Sequence, residues 1–276
     1  MIHIVGNLSY KNIRVPPQVW GGLSDVKGKR IFIKPNLVNP ITHYDSWSTT
    51  RVEIIEFIIE KLLLHDPKEI IVGECGFKDQ WEATIQSTDY DELPEKYPIV
   101  KLIPLQDGAN FHKFTLKRIP DYRSLFGVKF SDYLLESDVI INVPKLKVHN
   151  MALVTGAIKN MMGTMAQKGS MHPKGNDLIL HKRLADLYLV TNEMVDFVVM
   201  DGIVGCEYSE QSGVPVNSGV LIFGTDQWEV DVAAAKLMGI NPEDVKYLKY
   251  IRNDFESIKV KSSLIKNYEK PLKYRL

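Results

Sequence analysis

The densest chemistry in this chain lies in the stretch Val143-Pro144-Lys145-Leu146-Lys147-Val148-His149. In an extended backbone, successive side chains point to opposite sides. Lys145, Lys147 and His149 then share one side, and Leu146 and Val148 share the other. Two ammonium groups on one side attract a phosphate or carboxylate. Repulsion between like charges lowers the pKa of each lysine and of His149. That tuning suits acid–base work near neutral pH. The plainer alternative is a solvated edge strand guarded by lysine.

Two apolar runs end alike. Ile31-Phe32-Ile33-Lys34-Pro35-Asn36-Leu37 parallels Ile140-Ile141-Asn142-Val143-Pro144-Lys145-Leu146. Proline cannot donate to a ladder, so each strand is expected to leave the sheet there. Open α/β sheets bind ligands beyond the carboxyl ends of their strands. This makes Lys34, Asn36, Lys145 and Lys147 candidates for substrate binding. Glu74 and Asp201 follow further apolar runs, as base, metal ligand or cap. In Thr155 to Gly163, a helical reading puts Thr155 and Lys159 on one face, with Ile158, Met161 and Met162 turned inward. Lys159 joins His149, Glu74 and Asp201 as a catalytic candidate, and Asn160 joins the binding set. Lys168 and His172 belong to the glycine-rich segment 163–175, read as a mobile lid. His149, His172 and His181 are metal candidates, with Glu74 or Asp201, although their spacing matches no established zinc motif. Asp231, beside a stripe of small residues, calls for a buried lysine or backbone amide as partner. Cys75 stands at a strand end as a possible nucleophile, but the adjoining Glu74 raises its pKa. The glycine-rich dinucleotide fingerprint, the P-loop and the nucleophile elbow do not occur.

These residues need a frame to hold them. The chain has 276 residues, 45% hydrophobic and 25% charged, enough for a buried core. Lys+Arg and Asp+Glu are equal at 34 each, which argues against broad nucleic-acid binding. Two cysteines exclude a disulfide scaffold and a self-contained four-thiolate iron–sulfur cluster. No apolar run approaches the roughly 20 residues that span a bilayer, and no leader pattern opens the chain. A cytoplasmic location without membrane or nucleic-acid partners is expected.

Strands are predicted at 31–33, 69–72, 99–105, 138–143, 195–200 and 220–223. Helices are predicted at about 51–64, with Thr50 and Glu53 as a capping box, at about 182–194, after Asp226 up to Met238, and from Asn241-Pro242. The segment 77–123 reads as a less regular insertion. The order implies a single α/β domain over 1–276, with a largely parallel or mixed sheet flanked by helices.

The quoted stretches resemble the DUF362 family. They are Lys34-Pro35-Asn36, then Asp138 to His149, Thr155 to Gly163, Asp201 to Glu207, Gly224-Thr225-Asp226 and Asp231 to Gly239. The family is distantly similar to the catalytic domain of nickel-pincer lactate racemases, where lysine and histidine serve cofactor attachment and proton transfer. Relatives often carry Glu-Gly-x-Gly-Pro where this chain reads Glu207 to Pro215, an insertion that would reshape the pocket. Together these readings imply an enzyme acting on a small anionic metabolite by Lys/His acid–base chemistry, in the isomerisation or elimination class. A divalent metal would assist. Two alternatives stand beside it. One is a redox accessory or cofactor-handling protein with a separate iron–sulfur partner. The other is a non-catalytic small-ligand binding module.

Overall fold

Runs such as Ile31-Phe32-Ile33 and Val139-Ile140-Ile141 are apolar at every position, so a strand built from them must be covered on both faces. The computed structural model describes residues 1–21, 23, 25–37, 47–75, 80–105, 111–113, 125, 128–166, 171–172, 176–211 and 213–271. In chain order the strands are β1 (Ile2–Val5), β2 (Arg30–Pro35), β3 (Glu69–Glu74), β4 (Val100–Pro104), β5 (Phe111–Lys113), β6 (Lys129–Ser131), β7 (Val139–Val143), β8 (Lys145–His149), β9 (Leu153–Thr155), β10 (Phe197–Glu207) and β11 (Val214–Gly224). The helices are α1 (Val52–Leu63), α2 (Trp81–Ser87), α3 (Leu93–Lys96), α4 (Asp132–Leu135), α5 (Ala157–Asn160), α6 (Asp177–Thr191), α7 (Gln227–Leu237) and α8 (Lys246–Ile251). The main sheet runs β1-β11-β10-β7-β2-β3-β4, and β8 and β9 attach through β10. β7, β2, β3 and β4 are mutually parallel, and β10 lies parallel to β7. β11 pairs antiparallel with β1 and β10. The protein is thus an α/β fold with a mixed, mostly parallel sheet.

The period of two divides the core. Ile31, Ile33, Ile70, Val72, Ile141 and Val143 pack with Ile54, Ile55, Ile58 and Ile59 of α1. Their neighbours Phe32, Ile71 and Ile140 face the other way, toward Leu184 and Leu187 of α6 and Ala233 and Ala234 of α7. Full burial of each isoleucine contributes about 1.5–3 kcal/mol. Among the described residues, no helix is long and apolar enough to cross a membrane.

The proline expectation needs correction. After Pro144 the chain does not leave the sheet. β10 pairs first with β7, at Phe197–Ile141 and Val198–Asn142, and then with β8, at Asp201–Lys145 and Cys206–Lys147. Pro144 lacks a donor but still accepts from the Asp201 amide through its carbonyl at 2.8 Å. The β10 side therefore continues, while the β2 side ends level with Val143 at Pro35. β8 is an inward extension of a central strand.

Other boundaries moved for local reasons. Thr50 does not cap α1. Its Oγ1 donates to the Val143 carbonyl at 2.7 Å and accepts from the Asn36 amide at 2.9 Å, and Glu53 pairs with Arg51. The hydroxyl that could close a helix start instead ties together two strand ends. Asp226 does cap α7, accepting from Trp228 and Glu229 amides. Pro242 opens only a short 3-10 turn before α8, and α6 begins five residues earlier than expected, with Asn176 accepting from the Ile179 amide.

Asp231, wholly buried on α7, finds backbone amides. It accepts from Ala157 at 2.5 Å and Ile158 at 3.3 Å, and from the Tyr247 hydroxyl at 3.0 Å. This carboxylate turns the chain from β9 into α5. Gly156 is required there, since a Cβ would lie 2.1 Å from Asp231 Oδ1. Burial pushes the Asp231 carboxyl up to about 7, against the three donors that favour its ionised form. The unfolded chain titrates near 4. Stability from the protonated group is complete below pH about 4 and is lost as pH rises through about 7. Urea denaturation should show wild-type stability falling relative to Asp231→Asn across this window, by at most about 1.4 kcal/mol per pH unit. Parallel curves for the two proteins would contradict this.

Candidate functional site

A cleft of about 390 Å³ opens where β2 and β3 end and β8 and β9 turn back. Its walls include Asn36, Glu74, Lys147, His149, Thr155, Lys159, His172 and Glu210. The alternation in β8 accounts for part of this list. Leu146 and Val148 enter the core, so Lys147 and His149 face the opposite side.

At the floor, Lys34 donates to Glu74 Oε2 at 2.5 Å and to the Pro35 carbonyl at 2.6 Å. Both side chains are nearly or wholly buried. Gly163 sits on this pair, and a Cβ there would come 1.9 Å from Glu74 Oε1 and 2.7 Å from Lys34 Nζ. Glycine at this position lets the backbone lie against an ion pair. The Cys75 amide then donates to the Gly163 carbonyl at 2.7 Å. Cys75 is buried and does not line the cleft.

Lys147 is wholly buried. Its Nζ donates to Asn36 Oδ1 at 3.0 Å, the Ser48 carbonyl at 2.6 Å and the Glu210 carbonyl at 2.9 Å. All three acceptors are neutral. Burial pulls the amine down to about 7, with the nearby Lys159 and Lys145 charges acting in the same direction and Cys206 and Glu210 acting against it. A chain of amides fixes the geometry. Gln227 Oε1 accepts from Asn142, whose Oδ1 accepts from Asn160 Nδ2 at 2.7 Å. Asn160 Oδ1 accepts from Asn36 Nδ2 at 2.9 Å. Each amide thus has a determined orientation, and Asn36 must present oxygen to Lys147.

His149 is equally constrained. Its Nδ1 accepts from the amides of Met151 at 2.9 Å and Ala152 at 3.0 Å. A ring nitrogen that accepts carries no proton, so the neutral ring bears hydrogen on Nε2. Nε2 faces Glu210 Oε1 at 3.8 Å. In this form His149 is a donor. It is neither a neutral base nor a neutral metal ligand through Nε2, which would need its proton on Nδ1. The tight turn that supplies both amides holds Leu153 at φ 66°. That conformation costs a non-glycine residue about 1–3 kcal/mol, offset by Leu153's burial in the core.

The expected residues divide into three groups. Asn36, Glu74, Lys147, His149, Lys159, Asn160 and His172 meet at the cleft, and Lys34 lies beneath it. Lys168 lies outside the described residues, as does most of the expected lid. Lys145 and Asp201 do not line the cleft. They form a closed pair at 2.7 Å with both side chains fully buried. Tyr10 donates to Asp201 at 2.9 Å, and the Arg51 amide at the start of α1 donates at 3.1 Å. Lys145 is therefore not available to bind an anion, and Asp201 is not placed as a base. The metal trio also separates. His149 stacks on His172 with ring centroids 5.9 Å apart, whereas His181 accepts from the Tyr247 amide and stacks on that ring. Among the described residues, no three His, Cys, Asp or Glu side chains group as a metal site. Sequence reading does not single out Glu210, Gln211 or Tyr10, and it places Thr155 on the Lys159 face without a role. The unusual Glu207 to Pro215 segment was the signal for Glu210 and Gln211. Tyr10 has no local sequence signal.

A family model described as "Domain of unknown function (DUF362)" matches residues 31–236. The chain is also 26% identical over 224 residues to "Thylakoid-associated protein sll1697" of Synechocystis sp.. That alignment covers 79% of this chain and 65% of the relative, so the chain spans somewhat less than two thirds of the relative's length.

The Lys145–Asp201 pair carries a direct expectation. Breaking a buried pair leaves a charge uncompensated, at about 3–5 kcal/mol. Asp201→Asn should lower stability by that amount in chemical denaturation. A loss under about 1 kcal/mol, the range of exposed pairs, would show that Lys145 is not held by Asp201.

Proposed function

The chain belongs to the DUF362 family, and from that premise and the cleft's geometry we propose an enzyme that binds a small anionic metabolite, a carboxylate or phosphate, and moves a proton on it. One observation carries the reading. Lys147 is a wholly buried cation at a cleft, and among the described residues it hydrogen-bonds only to neutral oxygens. A bound anion supplies the missing countercharge. An amine pulled down to about 7 changes protonation at neutral pH, as a proton-transfer group must. Lys159 and the Nε2–H of His149 hold the ligand's oxyanion. Lys147 takes or returns the proton. Glu210 orients His149 from 3.8 Å. Glu74 keeps Lys34 neutralised, so that Lys34 adds little to the cleft's positive potential.

Isomerisation or elimination beside the anionic group is the proposed reaction class. No step is assigned to a metal, because the described donors do not converge as a ligand set. The cytoplasm is the proposed compartment. Cys75 and Cys206 are both buried and not disulfide-bonded, which fits a reducing environment.

The test is solvent-deuterium exchange. A panel of small carboxylates and phosphate esters is incubated with the protein in deuterated buffer, and C–H loss is followed by proton NMR. Wild-type protein should exchange at least one member, and Lys147→Met should slow this by about 10²–10⁴. Undiminished exchange in the variant would remove Lys147 from the chemistry. Binding without exchange of any ligand would leave a binding module.

A further inference from the structure

We propose that Thr155 is the residue that reads the ligand's oxyanion, donating its hydroxyl to an anionic oxygen held in the cleft. The inference rests on the anion reading above and adds a residue to it. Thr155 is 2% exposed and lines the cleft. Among the described residues, its Oγ1 has no hydrogen-bond partner. Thr164 and Thr191 are buried to the same degree, and both donate to backbone carbonyls. A buried hydroxyl without a partner is destabilising relative to an apolar group of the same shape. Valine would fill this position without that penalty, so the hydroxyl is retained at a cost to the ligand-free fold.

The surroundings identify what it meets. Thr155 stands directly across from Lys147 in the β8–β9 ladder, which puts the two side chains on one face about 4.5–5.5 Å apart at Cβ. Lys159 follows four residues later and lines the same cleft. His149, two residues beyond Lys147 on the same face of β8, offers its Nε2–H. Lys159 and the His149 Nε2–H are hydrogen-bond donors, and Lys147, whose three N–H bonds go to Asn36, Ser48 and Glu210, adds positive charge. A ligand atom that meets them together must accept, so the chemistry is that of an oxyanion. Phosphate and carboxylate share it.

Isothermal titration calorimetry with inorganic phosphate and with acetate tests the inference and separates the two sources. Thr155→Val should weaken whichever anion the wild type binds by at least about tenfold, the effect of losing a hydrogen bond to a charged group. Thr155→Ser should restore binding to within about threefold. The ligand-free Thr155→Val protein should melt at or above the wild-type temperature, since it loses an unpaired hydroxyl. Ser131→Ala serves as the control. Ser131 Oγ is also buried without a partner, but it lies at the start of α4 outside the cleft, so binding should not change. Wild-type affinity in Thr155→Val would overturn the inference alone and assign the hydroxyl to a trapped water. A lowered melting temperature with unchanged affinity would assign it a structural role. Wild-type protein that binds neither anion would overturn the anion reading itself, and this inference with it.

Discussion

Burying a lysine ammonium without a carboxylate beside it is unfavourable, and the arrangement around Lys147 answers that constraint with dipoles. Three neutral oxygens surround its Nζ. They come from three separate segments: the end of β2, the stretch before α1, and the β10–β11 connection. Each segment is held by other contacts. Asn36 is oriented by the amide chain through Asn160 and Asn142. Thr50 fastens the stretch before α1 to β7. The Asn150 amide holds Glu210 at 2.9 Å. Dipoles solvate a charge less completely than water does, so the amine is left easy to deprotonate and open to an incoming anion.

The three strand-end lysines show why placement decides chemistry. Lys34 and Lys145 are as deeply buried as Lys147, yet each has a carboxylate within hydrogen-bond distance. Their charges are spent inside the fold. Lys145 fixes the point where β10 changes partner from β7 to β8, and Asp201 receives the first free amide at the start of α1. Lys34 and Glu74 form a floor on which Gly163 rests. Only the continuation of β7 past Pro144 makes this division possible. It carries Lys147 and His149 beyond the sheet's parallel core while β10 still supports them.

Much of this was legible in the sequence. Unbroken apolar runs gave buried strands, and the polar alternation of Lys145 to His149 survives as one face of β8. The family resemblance is borne out over residues 31–236. What the sequence could not show is pairing across distance. Thr50 and Glu53 satisfy the pattern of a capping box, but Val143 and Asn36 offer Thr50 better partners. Pro144 signals the end of a strand, but a proline carbonyl can still accept on one side. Lys145 and Lys147 look equivalent two residues apart, and nothing local tells that Asp201 faces only the first. Tyr10 reaches Asp201 across 191 residues. The tautomer of His149 depends on a turn closed by Leu153 in a conformation that its residue type disfavours.

The most direct measurement is the titration of Lys147 itself, by NMR of protein carrying ¹³C-labelled lysine side chains, assigned with Lys147→Met. The amine should titrate near pH 7 in the free protein, and its midpoint should rise on addition of saturating phosphate or acetate, because a bound anion favours the ammonium. A Lys147 midpoint near 10.4, the ordinary lysine value, unmoved by either anion, would contradict the account of this site.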